Sequence, residues 1–202
     1  MELLTDMLIG SWITEDTRSE VDIRARVAMA KAAFWNNKEL MRRNIRLSTK
    51  MKILNCYVFS VLNYTCECWT WNRPMRLRVD AFGRCCYRMI LRISWKDRVS
   101  TKKLMERVQT ELQTELHFTK DMIKRKMKYA GHVLRGSSGL SHLQILEGMV
   151  EGKKKVDCPI KIWMKDICEW TGLGTYEKVK RAAEDKKNWI LIVVNLRIEV
   201  DK

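Results

Sequence analysis

The chain has 202 residues, enough for one substantial core or two small ones. A hydrophobic fraction of 46% and a charged fraction of 31% exclude a disordered chain, and the low proline and glycine content (two and nine residues) favours helices over sheet. The net charge of +15 indicates a polyanionic partner, with nucleic acid the leading candidate and a basic surface without a specific partner as the alternative.

The N-terminal residues predict a short strand and then a long helix. The apolar run 8–14 is typical of a strand or of part of a hairpin, and the edges of such a strand need a partner. We therefore expect the chain to start inside a larger structure. Ser19 is placed to cap a helix that runs to about residue 44. Its apolar stripe comprises Ile23, Val27, Ala30 and Phe34.

The stretch 56–95 predicts two apolar-faced helices that pack together. The break between them falls at 71–74, where Pro74 suits the first turn of the second helix because its missing N–H costs nothing there. Arginines decorate the second helix, so the stretch has a core side and a cationic side. We expect Trp69, Trp95 and, further along, Trp163 to lie in the core rather than to stack on bases.

Helices also dominate the rest of the chain. Ser100 is placed to cap one, and the next, over 119–135, carries a dense row of cations that repel one another unless an anion lies nearby. The Gly-Ser-Ser-Gly run 136–139 is the predicted domain boundary. A basic loop at 151–159 and further helices follow. The predicted divisions are a strand remnant at 1–18, a helical bundle at 19–135 and a helical C-terminal region at 136–202.

The sequence contains no recognisable catalytic or metal-binding constellation. The seven cysteines lack the spacing of common zinc sites, although a site using His142, Cys158 and Cys168 stays open, and buried unreactive thiols are the favoured interpretation. The three histidines lie in no nucleophilic triad, and no carboxylate pair suited to two metal ions is evident. We expect no cofactor, no metal and no catalysis by this chain alone.

The sequence also indicates where the protein resides. No secretory signal and no run long enough to span a membrane are evident, so we expect reduced thiols in the nucleus or cytoplasm, no secretion and no membrane partner.

Five collinear segments carry a family resemblance. The run CYVFSVLNYTCECWT at 56–70 resembles the C-YV-SVLLYG-CE-WT segment of non-LTR (LINE-type, RTE/jockey-like) retrotransposon reverse transcriptases, and 81–95 resembles the AFE-WCYRRMLRISW segment that follows it. KMKYAGHVLR at 126–135 is similar to KLKYFGHVMR, and the EGKR–GRP–W–DI block resembles 151–167. LIGSWITED at 8–16 looks like YLGSWITED, which in these polymerases is the primer-grip hairpin.

The resemblance covers nearly the whole chain and implies the thumb and C-terminal region of such a polymerase. The palm and fingers, with the catalytic aspartates and their Mg²⁺, would lie before Met1. The implied fold is mostly α: a thumb-like helical bundle with a short N-terminal strand or hairpin remnant and a small helical C-terminal piece.

Three departures from the family pattern suggest drift in a decaying copy. Cys85 stands where the family has a tryptophan. The arginine-rich GRGRP loop is replaced by Lys155-Val156-Asp157-Cys158-Pro159. Gly83 stands where the family has a helix-favouring glutamate, at a cost of about 1 kcal/mol.

We therefore predict phosphate-mediated binding of template–primer or target nucleic acid, either RNA–DNA hybrid or duplex DNA. His132 is a weaker candidate contact, since a structural histidine is the main alternative there. A domesticated helical protein–protein interaction module, with unknown partners, and a non-functional translated fragment remain the alternative functions. The predicted nucleic-acid-binding residues are Arg42, Arg43, Arg46, Lys124, Arg125, Lys128, His132, Lys153, Lys154 and Lys155.

Overall fold

The computed structural model describes residues 6–8, 11–13, 19–112, 118–137, 140–147 and 163–196. The prediction of a mostly helical protein is confirmed. The two strands are β1 (Asp6–Leu8) and β2 (Ser11–Ile13). The helices are α1 (Ser19–Asn36), α2 (Lys38–Arg42), α3 (Leu47–Leu54), α4 (Ser60–Leu62), α5 (Arg73–Ile90), α6 (Thr101–Leu112), α7 (Phe118–Leu134), α8 (Leu140–Glu147), α9 (Trp163–Thr171), α10 (Tyr176–Glu184) and α11 (Lys186–Val194).

The two strands form an antiparallel pair in which Met7 lies opposite Trp12. The strand expected within 8–14 therefore corresponds to β2, and its partner is the segment just before it.

The chain forms two compact units. The first comprises residues 1–66 and 71–119, and the second comprises 67–70 and 120–202. The boundary between the two units, apart from the segment 67–70, thus lies after Thr119. The Gly-Ser-Ser-Gly run predicts a domain boundary at residues 136–139 instead. Most of α7 belongs to the second unit because its side chains and carbonyls bind residues of α9 and α11, as described below.

The α1 stripe forms part of the core of the first unit. Ile23, Ala30 and Phe34 are almost fully buried, as their helical spacing predicts. The helix ends at Asn36 rather than near residue 44. The side-chain amide of Asn37 donates to the Ala33 carbonyl at 2.8 Å, and the chain turns before α2 begins.

The predicted helix pair is present in the first unit, with its break where the proline indicates. A π-helical turn, Asn55–Phe59, joins α3 to α4. The Asn72 side chain caps α5 by accepting from the Met75 amide at 3.0 Å, and Pro74 lies in the first turn.

The prediction for Trp95 is wrong, since its side chain is 85% exposed. α5 ends at Ile90, and Arg92 takes a left-handed conformation (φ 56°) that turns the chain away before Trp95 is reached. Trp95 then opens a short 3₁₀ turn, Trp95–Asp97, that Ser94 caps.

Gly83 has a packing role that argues against simple drift. A Cβ at this position would lie 2.1 Å from Cε2 of Phe118, which packs against the rings of Phe59 and Tyr87 at centroid distances of 4.7 and 5.0 Å. Because residue 83 has no side chain, the Phe118 ring can pack directly against the α5 backbone. This packing offsets the cost of a glycine in a helix.

A buried ion pair and two tryptophans organise the second unit. Lys126 Nζ lies 2.6 Å from Asp166 Oδ2 and donates to the Trp69 carbonyl at 2.7 Å. Trp69 is buried, as predicted, whereas Trp163 is half-buried and its indole donates to the Glu67 carbonyl at 2.8 Å. α10 ends at Glu184, and the Asp185 carboxylate accepts from the Lys187 amide and caps α11.

Candidate nucleic-acid interface

One group of predicted residues lies around a cleft of the first unit. Arg42, Arg43 and Arg46 are all exposed, at the end of α2 and the start of α3. A cleft of about 510 Å³ opens beside them, and we call it the α2–α3 cleft. It is lined by Arg43, Asn44, Ile45, Leu47, Lys50, Ile90, Leu91, Arg92 and Glu111.

Arg92 is held at this cleft by the way α5 ends. The Arg92 amide donates to the Met89 carbonyl at 3.2 Å and the Ile93 amide to the Arg88 carbonyl at 2.9 Å, which is the Schellman pattern. Arg92 therefore occupies the left-handed position that glycine usually takes, and its guanidinium donates to the Arg42 carbonyl. An arginine at such a position costs about 1 kcal/mol or more relative to the glycine that suits it.

A second group lies on a groove of the second unit. Lys128 and His132 lie one turn apart on α7, Arg135 directly follows this helix, and Lys186 is the first residue of α11. These four basic side chains line a groove of about 330 Å³, which we call the α7–α11 groove. Its apolar lining comprises Trp189, Ile190, Val193 and Val194, and no acidic residue lines it among those that the structure describes.

Gly131 allows α7 and α11 to approach closely enough to form this groove. The Trp189 indole donates to the Met127 carbonyl at 2.9 Å, and a Cβ on residue 131 would lie 2.4 Å from that indole nitrogen. Arg135 donates to the Ala183 carbonyl at 2.8 Å, which fixes the guanidinium at one end of the groove.

The remaining predicted residues have different surroundings. Arg125 is paired through two nitrogens with Glu67, at 2.9 and 2.6 Å, so part of its charge is already compensated. Lys124 is half-buried. Lys153, Lys154 and Lys155 lie outside the described residues.

Four basic residues of these two surfaces were not singled out as sites from the sequence: Lys50, Arg92, Arg135 and Lys186. The helical spacing from Lys128 through His132 extends to Arg135 and could have indicated that residue. The other three come from separate elements, and local sequence gives no signal for their position at a cleft or groove.

The described cysteines differ in burial, and the expectation that they are buried is wrong for Cys56, Cys68 and Cys85, which are exposed, while Cys168 is half-buried and Cys158 lies outside the described residues. Cys66 and Cys86 are buried, and burial, with a smaller effect of the neighbouring Cys85, raises the pKa of the Cys86 thiol to about 12. Within the described ranges no three side chains of metal-ligating type come together.

Comparisons with protein family models, with curated proteins and with solved structures give no match. Among the described helices, none has the length and apolar character needed to cross a membrane.

Proposed function

We propose that this protein binds nucleic acid through its phosphates. The observation that carries the proposal is the α7–α11 groove, where four basic side chains converge on one surface with no acidic side chain in its described lining. Lysine and arginine contacts to phosphate supply affinity without sequence readout, and a chain of net charge +15 favours such a partner.

The groove is suited to a strand backbone rather than to base readout. Lys128 and Lys186 are both exposed, on the two helices that form its walls, and ammonium groups bind phosphate as mobile point charges. The Trp189 ring is buried and bonded to the Met127 carbonyl, so it serves packing rather than base stacking. The exposed Arg42, Arg43 and Arg46 supply further phosphate contacts in the first unit.

Salt dependence of binding tests this function. The full chain is titrated onto a labelled RNA–DNA hybrid and onto duplex DNA, with fluorescence anisotropy as the readout, over a series of salt concentrations. We expect the logarithm of affinity to fall linearly with the logarithm of salt, and the double variant Lys128→Ala/Lys186→Ala to reduce that slope by about 2, or about 1 for each lost contact.

A matched pair of lysines on α6 serves as the control. Lys102 and Lys103 are exposed and lie outside the groove, so Lys102→Ala/Lys103→Ala removes the same charge elsewhere. An equal loss of slope in both double variants would contradict a role for the groove, and affinity independent of salt would contradict the proposed function itself.

We infer from the sequence resemblance that this binding is that of a reverse-transcriptase thumb and C-terminal region. In that role the chain holds template–primer or target nucleic acid and carries out no polymerisation alone, since the catalytic palm would belong to other residues of the parent polymerase. A primer-extension assay tests this directly. Extension by this chain alone would overturn the assignment, whereas restored extension on mixing with a reverse-transcriptase palm of this family would support it.

A second candidate function, protein–protein interaction, is favoured by one surface. Ile190, Leu191 and Val194 of α11 are 52%, 60% and 63% exposed, which forms an apolar helix face. Binding to a protein partner that survives nuclease treatment and is lost in Leu191→Glu would favour this candidate. Loss of the partner on nuclease treatment would favour nucleic acid.

A further inference from the structure

We propose that the α2–α3 cleft is a binding site for a single phosphate group. The proposal goes beyond the proposed function, because it concerns one tetrahedral anion in the first unit and holds for free phosphate as well as for a nucleic-acid phosphate.

Lys50 is the first observation behind this site. The residue is 8% exposed and lines the cleft, and within the described part of the chain its side chain makes no hydrogen bond or ion pair to a protein group. The charge of this largely buried side chain has no counter-ion on the protein, and an anion in the cleft would supply one.

The start of α3 is the second observation. Arg46 occupies the N-cap position, and its side chain makes no capping hydrogen bond. The Thr49 and Lys50 amides donate to the Arg46 carbonyl at 3.0 and 3.1 Å, as in the first turn of a helix. Leu47, the first residue of α3, lines the cleft, so the N-terminus of α3 at the cleft has no side-chain cap. Helix N-termini carry partial positive charge and attract anions.

Arg43 and Arg92 complete the cationic lining. The Arg92 guanidinium already donates to the Arg42 carbonyl, which fixes its position, and its remaining donors are suited to a phosphate oxygen. The left-handed backbone of Arg92 costs free energy in the folded protein, and strained backbone of this kind clusters at ligand-binding sites.

Glu111 is the one lining residue that opposes an anion. Its carboxylate is paired with Arg107, whose Nε lies 3.2 Å from Oε1, so its charge is partly compensated. The lining therefore has three cations, a helix N-terminus and one partly compensated acid, and the Asn44 side chain adds a further donor.

Calorimetric titration of the full chain with inorganic phosphate, at constant ionic strength set by chloride, tests the site. Loss of one charge-assisted hydrogen bond weakens binding by about tenfold or more, so we expect that loss in Lys50→Met and in Arg92→Gly. We expect tighter binding in Glu111→Gln and unchanged binding in Lys31→Met, which removes an exposed charge on α1 outside the cleft.

Arg92→Gly separates binding from folding. Glycine relieves the left-handed backbone, so this variant should melt at the same temperature as the wild type or higher while binding phosphate more weakly. Absence of saturable phosphate binding by the wild type, or equal binding by wild type and Lys50→Met, would overturn the proposal.

A second arm identifies the source of the phosphate. Tetranucleotides with a 5′-phosphate and with a 5′-hydroxyl are compared in wild type and in Lys50→Met. A preference for the 5′-phosphate that disappears in Lys50→Met assigns the site to a nucleic-acid end. Phosphate binding without that preference assigns it to the free anion. Both arms compare wild type with Lys50→Met, which leaves the α7–α11 groove intact, so failure of the groove to bind nucleic acid leaves the phosphate titration unaffected.

Discussion

Lys126 and Asp166 form a fully buried ion pair, with 2.6 Å between Nζ and Oδ2. The ammonium also donates to the Trp69 carbonyl and lies 5.2 Å from the ring centroids of both Trp163 and Trp170. The cation is therefore enclosed by a carboxylate, a carbonyl and two aromatic faces. This cluster links α7 to α9 and to the segment 67–70 within the second unit.

Removing one member of the pair should destabilise the second unit strongly. Lys126→Met leaves the buried Asp166 carboxylate without its cation, and we expect a loss of about 3–5 kcal/mol in the free energy of unfolding. The double variant Lys126→Met/Asp166→Leu should recover much of this loss because no buried charge remains. Chemical denaturation followed by circular dichroism measures both. Arg107→Ala, which breaks an exposed pair, should cost less than about 1 kcal/mol, and a similar cost for Lys126→Met would contradict the interpretation.

Because Phe118 packs against Gly83, we expect alanine at position 83 to lower the stability of the protein, which is the opposite of its usual effect in a helix. In an ordinary helix interior, glycine to alanine stabilises by about 1 kcal/mol. Gly83→Ala should instead destabilise the first unit by about 1–3 kcal/mol, because the new methyl group overlaps the Phe118 ring. In a Phe118→Leu background the penalty should shrink, and a double-mutant cycle by denaturation would show that coupling. Stabilisation by Gly83→Ala in the wild-type background would refute the contact.

The local sequence pattern predicted the structure correctly where helical periodicity and residue preferences at helix ends determine it. The apolar spacing of α1 identified Ile23, Ala30 and Phe34 as core, and Pro74 marked the start of α5. Trp95 was misassigned because the helix that leads to it ends at a left-handed arginine, and composition gives no signal for that.

The candidate sites depended on long-range contacts that a linear pattern cannot supply. Lys126 belongs to a row of cations in the sequence, yet its partner Asp166 lies forty positions away, so its burial was not predictable from its neighbours. Lys128 and His132 were identified from the same row, whereas Lys186 joins them only through the approach of α11 to Gly131.

The two adjacent cysteines of α5 should differ sharply in reactivity. Cys85 is exposed, whereas burial raises the pKa of Cys86 to about 12 from an ordinary value of 9.0. Alkylation requires the thiolate, so iodoacetamide at mildly alkaline pH should modify Cys85 and leave Cys86 unmodified in the folded protein, as peptide mass spectrometry would show. Denaturant should abolish the difference. Equal rates in the folded protein would contradict the burial of Cys86.

The raised pKa of Cys86 also has a consequence for stability. Folding favours the neutral thiol. The stabilisation that the neutral Cys86 thiol gives the folded state is therefore complete below pH 9.0 and is lost as pH rises toward 12. Cys86→Ala should therefore unfold with a weaker dependence on pH in that interval than the wild type. Identical pH profiles of the denaturation midpoint for the two proteins would refute the linkage.

Two helix N-caps provide a matched comparison. The Asn72 side chain accepts from the Met75 amide at the start of α5, whereas Thr175 occupies the N-cap of α10 without a side-chain hydrogen bond. Asn72→Ala should cost about 1 kcal/mol of unfolding free energy, and Thr175→Ala should cost less. Thermal or chemical denaturation of both variants measures these two losses. A larger loss of stability in Thr175→Ala than in Asn72→Ala would contradict the capping role of Asn72.

Gly131 connects the packing of the second unit to its proposed binding surface. Gly131→Ala places a methyl group 2.4 Å from the Trp189 indole nitrogen, so α11 must shift and the hydrogen bond to the Met127 carbonyl is weakened. We expect a loss of about 1–3 kcal/mol in stability, opposite in sign to the usual effect of alanine in a helix. Because Lys186 moves with α11, the salt dependence of nucleic-acid binding should also fall. Measured below the unfolding transition, an unchanged salt slope in a destabilised Gly131→Ala protein would show that the groove does not hold the phosphates.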